Sequence, residues 1–215
     1  MNLSGPFKQI VTLNSLPLKG KLNDNQLEII SDGGILIENG IILEVGNFEV
    51  LRQKFPHSTI DHIENEQIAV PAFVDAHTHI CFGGNRANDF GLRNAGKTYL
   101  EIAESGGGIW SSVKHTRAAT EEELFHGILK RIDILLKQGI TTIEIKSGYG
   151  LNVNEELKML RAIKKAKSHT RATLIPTCLS AHLKPKDFEG TSNEYLDYII
   201  KETLPKVKQD DLAKY

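Results

Sequence analysis

The spacing of hydrophobic positions changes at about residue 67. Before that point the apolar segments are short, and Ile35 to Val45 consists of two of them on either side of Asn39-Gly40. An Asn-Gly pair between two such segments is the strongest short-range signal for a β-hairpin. Phe7 to Leu13 predicts an earlier strand, and residues 47–57 predict a short helix. We therefore predict that residues 1–67 form a small β domain.

After residue 67, apolar strand-like runs alternate with amphipathic helical segments. The predicted strands are Ile68 to Ile80, Ile140 to Lys146 and Arg171 to Leu179. The predicted helices start at the capping box Thr120-Glu-Glu-Glu123 and end before Gly139, run from Asn154 to about Lys167, and run from Tyr195 to Lys208. Strands and helices that alternate in this way build parallel βαβ units. Residues 68–215 therefore predict an α/β fold.

This α/β segment is too short to close a barrel. A complete (β/α)₈ barrel takes about 250 residues, and Asp210 to Tyr215 stands where a fourth strand should begin. Residues 68–215 are therefore expected to form an α/β sheet that is not closed. Two alternatives remain open, a smaller open α/β protein and the front part of a longer one. In both, backbone groups stay unpaired at a sheet edge.

Composition excludes several classes of protein. The net charge is −1, and the longest block of like charges is Glu121-Glu122-Glu123, so we expect neither a nucleic-acid partner nor a membrane surface. The N-terminus lacks the apolar core of a signal peptide. Two cysteines, Cys81 and Cys178, without a metal-type spacing, are typical of a reducing compartment. We therefore expect a cytoplasmic location.

The strongest chemical signal is the run from Val70 to His79, which ends in His-x-His. Side chains alternate along a strand, so His77 and His79 are expected on one face, with Cα atoms roughly 7 Å apart. Asp75 lies two positions earlier on that face. Paired neutral imidazoles suit a divalent transition metal, whereas an isolated His-x-His is more often found on an exposed strand. The apolar residues before the pair favour a metal site, to which other residues must add ligands.

Three further residues follow the predicted strands or their loops. Arg86 lies in a glycine-rich loop and could hold a substrate carboxylate, although a surface arginine that packs the loop is an alternative. Tyr149 stands between two glycines in a loop where barrel enzymes place active sites, or it is a turn aromatic. His182 follows the third strand and is either structural or part of a shared site.

The glycines of Gly106-Gly-Gly-Ile-Trp-Ser-Ser form part of a long insertion between the first strand and the first predicted helix. Such a run could approach a ligand closely or act as the hinge of a lid. The pattern of a phosphate-binding loop is missing. The remaining histidines, which are His57, His62, His115, His126 and His169, are expected to be exposed to solvent.

Four segments together resemble the imidazolonepropionase family of the metal-dependent amidohydrolases. They are the runs from Val70 to His79, from Phe82 to Arg86, from Tyr99 to Ile109 and from Glu144 to Leu151. The resemblance extends from about residue 30 to residue 205, and the last two segments are far more specific than His-x-His. It implies that residues 68–215 are the first βα units of an amidohydrolase barrel, a partial (β/α)₈ TIM-like barrel that is apparently truncated. It also implies that residues 1–67 are the N-terminal part of a small domain of the β-sandwich type.

The resemblance implies hydrolysis of 4-imidazolone-5-propionate to N-formimidoyl-L-glutamate during histidine degradation. His77 and His79 would bind one zinc or iron ion, Arg86, Tyr149 and His182 would contact the substrate, and His182 would be catalytic. A homodimer of the complete protein is an open alternative.

The family takes a third metal histidine, an aspartate ligand and an acidic residue from later strands, and this sequence contains no histidine after His182. We therefore expect an N-terminal portion that is inactive alone and binds metal weakly. The competing hypotheses are another cyclic amidohydrolase or deaminase of the superfamily, and a non-catalytic half barrel that assembles with another chain.

Overall fold

A computed structural model describes residues 1–215 of the chain. The chain consists of two compact units, Met1–Pro71 and Ala72–Tyr215. None of its helices combines the length and hydropathy needed to span a bilayer.

The first unit is built on a five-stranded sheet. Its strands are β1 (Asn2–Val11), β2 (Ile29–Glu38), β3 (Ile41–Asn47), β4 (Thr59–His62) and β5 (Ile68–Ala69). They lie in the order β3-β2-β1-β4, and β5 also pairs with β1. The predicted hairpin is confirmed: Asn39 and Gly40 have φ values of 52° and 78°, as a type I′ turn requires.

The short helix predicted after the hairpin is also confirmed. It is α1 (Phe48–Lys54), and the Asn47 side chain caps it by accepting hydrogen bonds from the Glu49 and Val50 amides. The helix buries Phe48 and Leu51 against strand residues Leu3 and Leu36 to form the core of this unit.

The second unit contains a parallel three-stranded sheet in the order β6-β7-β8. Its strands are β6 (Phe73–Thr78), β7 (Ile140–Lys146) and β8 (Thr173–Thr177). Its helices are α2 (Ala87–Asn94), α3 (Tyr99–Glu104), α4 (Gly108–Ala118), α5 (Glu121–Lys137), α6 (Val153–Lys167), α7 (Ser192–Tyr198) and α8 (Leu204–Gln209), with a π-helical segment at Ile199–Thr203. The predicted bounds of β7 are confirmed, as are the helices that became α5 and α6.

Helices α5 and α6 pack against the sheet and bury the core of this unit. Thr120 caps α5 through a capping box with Glu123, as the sequence predicted. The fully buried Leu160 and Ile163 of α6 lie in one cluster with Ile143 and Ile145 of β7. Because alternate residues of β7 point into this layer, the residues between them are left facing the other side of the sheet.

The prediction of one buried strand from Ile68 to Ile80 is wrong. The run is divided between β5, which pairs with β1, and β6, which pairs with β7. Pro71 lies in the break, and proline has no N–H for a sheet ladder. Phe73 and Val74 are 63% and 65% exposed because β6 is an edge strand and no second layer covers its outer positions.

The long insertion between the first predicted strand and the first predicted helix is helical over much of its length. It forms α2, α3 and α4, and Thr98 caps α3 by a capping box with Glu101. Gly107 is the N-cap residue of α4. Residues 106–108 therefore connect two short helices and start the second.

Candidate active site

The predicted site residues gather at the carboxyl end of the parallel sheet. His77 lies near the end of β6 and His79 just beyond it, whereas Tyr149 and His182 lie in the loops after β7 and β8. The His79 ring centroid is 5.6 Å from that of His77, 5.1 Å from that of His182 and 5.4 Å from that of Tyr149. Three side chains, which come from three strand ends, thus lie next to the His79 ring.

His79 has the environment of a metal-binding histidine. Its Nδ1 is buried and has no hydrogen-bond partner. Burial lowers the pKa of His79, and the nearby His182 and His77 lower it further. Because only a neutral imidazole can donate a lone pair to a metal, these effects favour the form that binds metal.

The ligand set that this chain supplies is incomplete. His77 and His79 fit a metal because their rings are adjacent and one has an unpartnered nitrogen. No group of three or more histidine, cysteine or acidic side chains is arranged to hold an ion. Asp75 uses its carboxylate to accept a hydrogen bond from the His77 amide at 3.2 Å. Catalytic zinc sites use three protein ligands, so two histidines alone fall one ligand short of such a set.

Arg86 is held in place by an acidic residue of the next helix. Its Nε donates to Asp89 Oδ2 at 2.7 Å, and the Gly108 amide donates to the same oxygen at 2.9 Å. Burial would raise the pKa of Asp89, but the hydrogen bonds from Arg86 and Gly108 lower it below its ordinary value. Since only Nε is bonded to Asp89, the outer edge of the guanidinium is available for an anion.

A cavity of about 310 Å³ connects Arg86 with the histidine cluster. Its lining includes His79, Phe82, Arg86, Ser112 and Tyr149. Arg86 also lines a second cavity of about 290 Å³ with Arg93, Lys97 and Tyr99. The first cavity therefore has a cationic side chain at one position and the aromatic and imidazole rings at another.

Tyr149 and His182 are positioned by one loop, residues 147–151. Burial raises the pKa of the Tyr149 phenol, partly offset by the charge of Arg86, so the phenol is a hydrogen-bond donor at neutral pH. His182 Nδ1 lies 3.1 Å from the Gly148 carbonyl oxygen. A carbonyl oxygen only accepts, so Nδ1 carries the proton, and Nε2 of the neutral ring is an acceptor.

Glu144 and Lys146 form an ion pair on the side of β7 that faces away from the helices. Glu144 also accepts a hydrogen bond from the Thr78 amide at 3.3 Å. Burial would raise the pKa of Glu144, but Lys146 and the Thr78 amide lower it. Both residues line a third cavity, together with Thr142 and Thr177 of the neighbouring positions.

The sequence analysis missed two acidic residues that support the site. Asp89, which holds Arg86, lies in no sequence motif or hydrophobic pattern that would have identified it as a site residue. Glu156, in contrast, lies on the apolar stripe of α6, three and four positions before Met159 and Leu160, and is fully buried. A charged residue on such a stripe is a signal in itself. The five other histidines are exposed, as expected.

The chain is similar in sequence to imidazolonepropionases. It is 38% identical over 208 residues to the imidazolonepropionase of Clostridium tetani, a match that covers 96% of this chain and 50% of that protein. It is 51% identical over 145 residues to that of Myxococcus xanthus, with 67% and 34% covered. The chain thus spans at most half the length of these relatives and matches their N-terminal portion. No protein-family model matches it.

Solved structures resemble the fold at low sequence identity. Guanine deaminase of E. coli has a TM-score of 0.57 at 19% identity, and the match covers 97% of this chain and 44% of that chain. Atrazine chlorohydrolase TrzN from Arthrobacter aurescens, solved with zinc, has a TM-score of 0.54 at 13% identity, with 97% and 43% covered. At these identities the likeness establishes a shared mixed α/β fold.

Proposed function

We propose that this chain, whose sequence matches the N-terminal portion of imidazolonepropionases, supplies part of an active site that hydrolyses 4-imidazolone-5-propionate to N-formimidoyl-L-glutamate. The observation that carries the proposal is the single cavity that joins Arg86 to His79 and Tyr149. The substrate has a carboxylate at the end of a short chain and a cyclic amide at the other end. The cavity offers complementary groups to both.

Arg86 would bind the propionate carboxylate. The guanidinium presents a fork of N–H donors that matches a carboxylate, and Asp89 orients it by fixing Nε. Holding the tail in this way restricts the orientation of the ring and turns binding energy into alignment of the reacting carbonyl. Arg86 is 43% exposed, so the substrate tail can reach it from solvent.

Tyr149 and His182 would bind the ring. The phenol can donate a hydrogen bond to the carbonyl oxygen, on which negative charge develops as water adds to the carbonyl carbon. His182 Nε2 can accept a proton or a hydrogen bond because Nδ1 is occupied by the Gly148 carbonyl. The ring C–N bond then breaks, and the leaving nitrogen takes up a proton.

His77 and His79 would provide two ligands of a single zinc or iron ion. When bound, such an ion polarises the carbonyl and lowers the pKa of water toward neutrality, so that hydroxide is available. The unpartnered His79 Nδ1 supports this assignment.

We also propose that the second unit is a partial (β/α)₈ barrel and that residues 1–67 belong to a sandwich-type domain. We propose further that the protein works in the cytoplasm, where its free cysteines would stay reduced.

The test is a hybrid protein. Residues 1–215 would replace the matching portion of the Clostridium tetani relative, and hydrolysis of 4-imidazolone-5-propionate would be measured after loading with zinc or iron(II). We expect turnover in the hybrid, loss of turnover in its His79→Ala variant, and an increase in KM of at least about tenfold in Arg86→Gln.

The matched control is Arg93→Gln, which changes an arginine outside the first cavity. A folded, metal-loaded hybrid that hydrolyses guanine but not imidazolonepropionate would contradict the proposal and favour a deaminase. A hybrid that binds no metal, while the chain alone melts cooperatively as a defined oligomer, would favour the assembly module.

A further inference from the structure

The buried carboxylate of Glu156 is surrounded by donors from the loop that carries Tyr149. Its Oε1 accepts from the Gly150 and Leu151 amides, each at 2.8 Å, and the Gly148 amide is shared between Oε2 at 3.1 Å and Oε1 at 3.2 Å. Glu156 itself is fully buried. Three backbone N–H groups of one loop therefore converge on a single side chain that comes from the first turn of α6.

The same carboxylate also contacts the loop that carries His182. Ser180 Oγ donates to Glu156 Oε2 at 3.4 Å. The Gly148 carbonyl then accepts from His182 Nδ1 at 3.1 Å. Glu156 is thus linked to His182 through Gly148, which forms a hydrogen bond with each of them. It is linked to Tyr149 because Tyr149 lies in the chain between Gly148 and Gly150, whose amides donate to Glu156. Glu156 itself lines none of the cavities at the site.

We propose that Glu156 is a positioning residue, which holds the Gly148–Leu151 segment so that Tyr149 points into the cavity and His182 keeps its proton on Nδ1. The proposal rests on the proposed function, in which Tyr149 and His182 contact the substrate. An apolar residue at this position would leave three loop amides buried without acceptors, and the loop would have to move to satisfy them.

A geometric argument separates this role from ordinary packing. Glutamine has nearly the shape of glutamate but only one acceptor oxygen. With that oxygen in the place of Oε1, the Gly150 and Leu151 bonds and the 3.2 Å bond from the Gly148 amide remain, while an amide nitrogen takes the place of Oε2. The Gly148 amide then keeps one of its two acceptors and meets a donor at the position of the other, and the carbonyl of the same residue holds His182. Glu156→Gln is therefore expected to disturb Gly148 and His182 more than the rest of the unit.

The test uses this chain without substrate or metal, so that it does not depend on catalysis. Long-range ¹H–¹⁵N NMR reports the tautomer of His182, and hydrogen exchange reports the Gly148 amide. In the unmodified chain we expect the Nδ1–H tautomer. In Glu156→Gln we expect exchange at Gly148 to be about tenfold faster and the share of the Nε2–H tautomer to rise, with amides in the middle of α5 unchanged.

Glu155→Gln is the matched control, because Glu155 is adjacent in sequence and pairs with Lys158 instead of the loop. It is expected to change neither readout. An Nε2–H tautomer in the unmodified chain would overturn the proposal even if Glu156→Gln failed to fold. A folded Glu156→Gln variant with unchanged Gly148 exchange and His182 tautomer would overturn it as well. If both readouts shift but the hybrid does not hydrolyse imidazolonepropionate, the proposed function fails and the positioning role stands.

Discussion

Gly107 is the position where a single methyl group is expected to disturb the Arg86 side of the site. A Cβ built on its backbone lies 2.4 Å from Asp89 Oδ1 and 2.9 Å from Ile102 Cγ2. The φ and ψ values of −82° and −153° are extended, so the substitution Gly107→Ala meets a steric obstacle without a strained φ. To admit the methyl group, Asp89 must move away from Arg86 and the Gly108 amide, or α3 and α4 must separate.

The expected destabilisation follows from these contacts. Adding a methyl group to a tightly packed position costs about 1–3 kcal/mol. Alanine also restricts the unfolded chain, which returns about 0.4–1 kcal/mol. We therefore expect Gly107→Ala to lower the free energy of unfolding by about 1–2 kcal/mol.

Gly91 provides a matched control of the opposite sign. It lies in the interior of the exposed helix α2, and a Cβ there meets no atom within 4 Å. Gly91→Ala should stabilise the chain by about 0.5–1 kcal/mol, since alanine favours a helix interior over glycine. The assay is urea unfolding followed by the fluorescence of Trp110, the only tryptophan, which lies in α4 three residues after Gly107. A Gly107→Ala midpoint at or above that of the unmodified chain, with equal slopes, would refute the packing argument.

Three other outcomes are expected. Thr120→Ala removes the capping box of α5 and should reduce the free energy of unfolding by about 1 kcal/mol in the same urea assay. Cys81 is fully buried, and burial raises the pKa of its thiol. At pH 8 the folded chain and its folded Cys81→Ser variant should therefore show the same number of thiols that react with a disulfide reagent. In urea, the two numbers should differ by one. The pKa of Asp89 lies below its ordinary value of 3.8, so its stabilisation is present above about pH 4 and lost as the pH falls through the lower folded value. The difference in urea midpoint between the unmodified chain and Asp89→Asn should therefore shrink on acidification, and a constant difference would contradict the shift.

Local signals predicted the elements whose stabilising contacts lie close in sequence. The Asn39-Gly40 turn and the Thr120 capping box were confirmed because each depends on neighbouring residues only. Thr98 carries the same capping signature, but the helix after it was missed because the adjacent glycines suggested a loop. Helix α4 was missed for a different reason: its buried side chains include Ser112 and Thr116, so hydrophobic periodicity is weak.

The sequence analysis did not show which strands the run from Ile68 to Ile80 pairs with, because this pairing depends on residues that are distant in sequence. An uninterrupted apolar run from Ile68 to Ile80 does not reveal that its first residues pair with β1 and its later ones with β7. The placement of His77 and His79 survived this error, because both histidines come after the break at Pro71. A prediction that rests on the last residues of a strand is insensitive to where the strand begins.

Two residues outside the first cavity are explained by their contacts with residues that support its lining. Glu156 is a charged residue on the apolar stripe of α6, and Gly107 is a glycine where a helix starts. Burial of the Glu156 carboxylate opposes folding of its helix, whereas glycine is accepted at the N-cap position that Gly107 occupies. Each is explained by a contact outside its helix: Glu156 accepts the loop amides beside Tyr149, and Gly107 leaves room for the Asp89 carboxylate that orients Arg86. Residues whose type is explained by a neighbour and not by their own helix are expected where side-chain positions matter for chemistry, and both of these border the side chains that we assign to substrate binding.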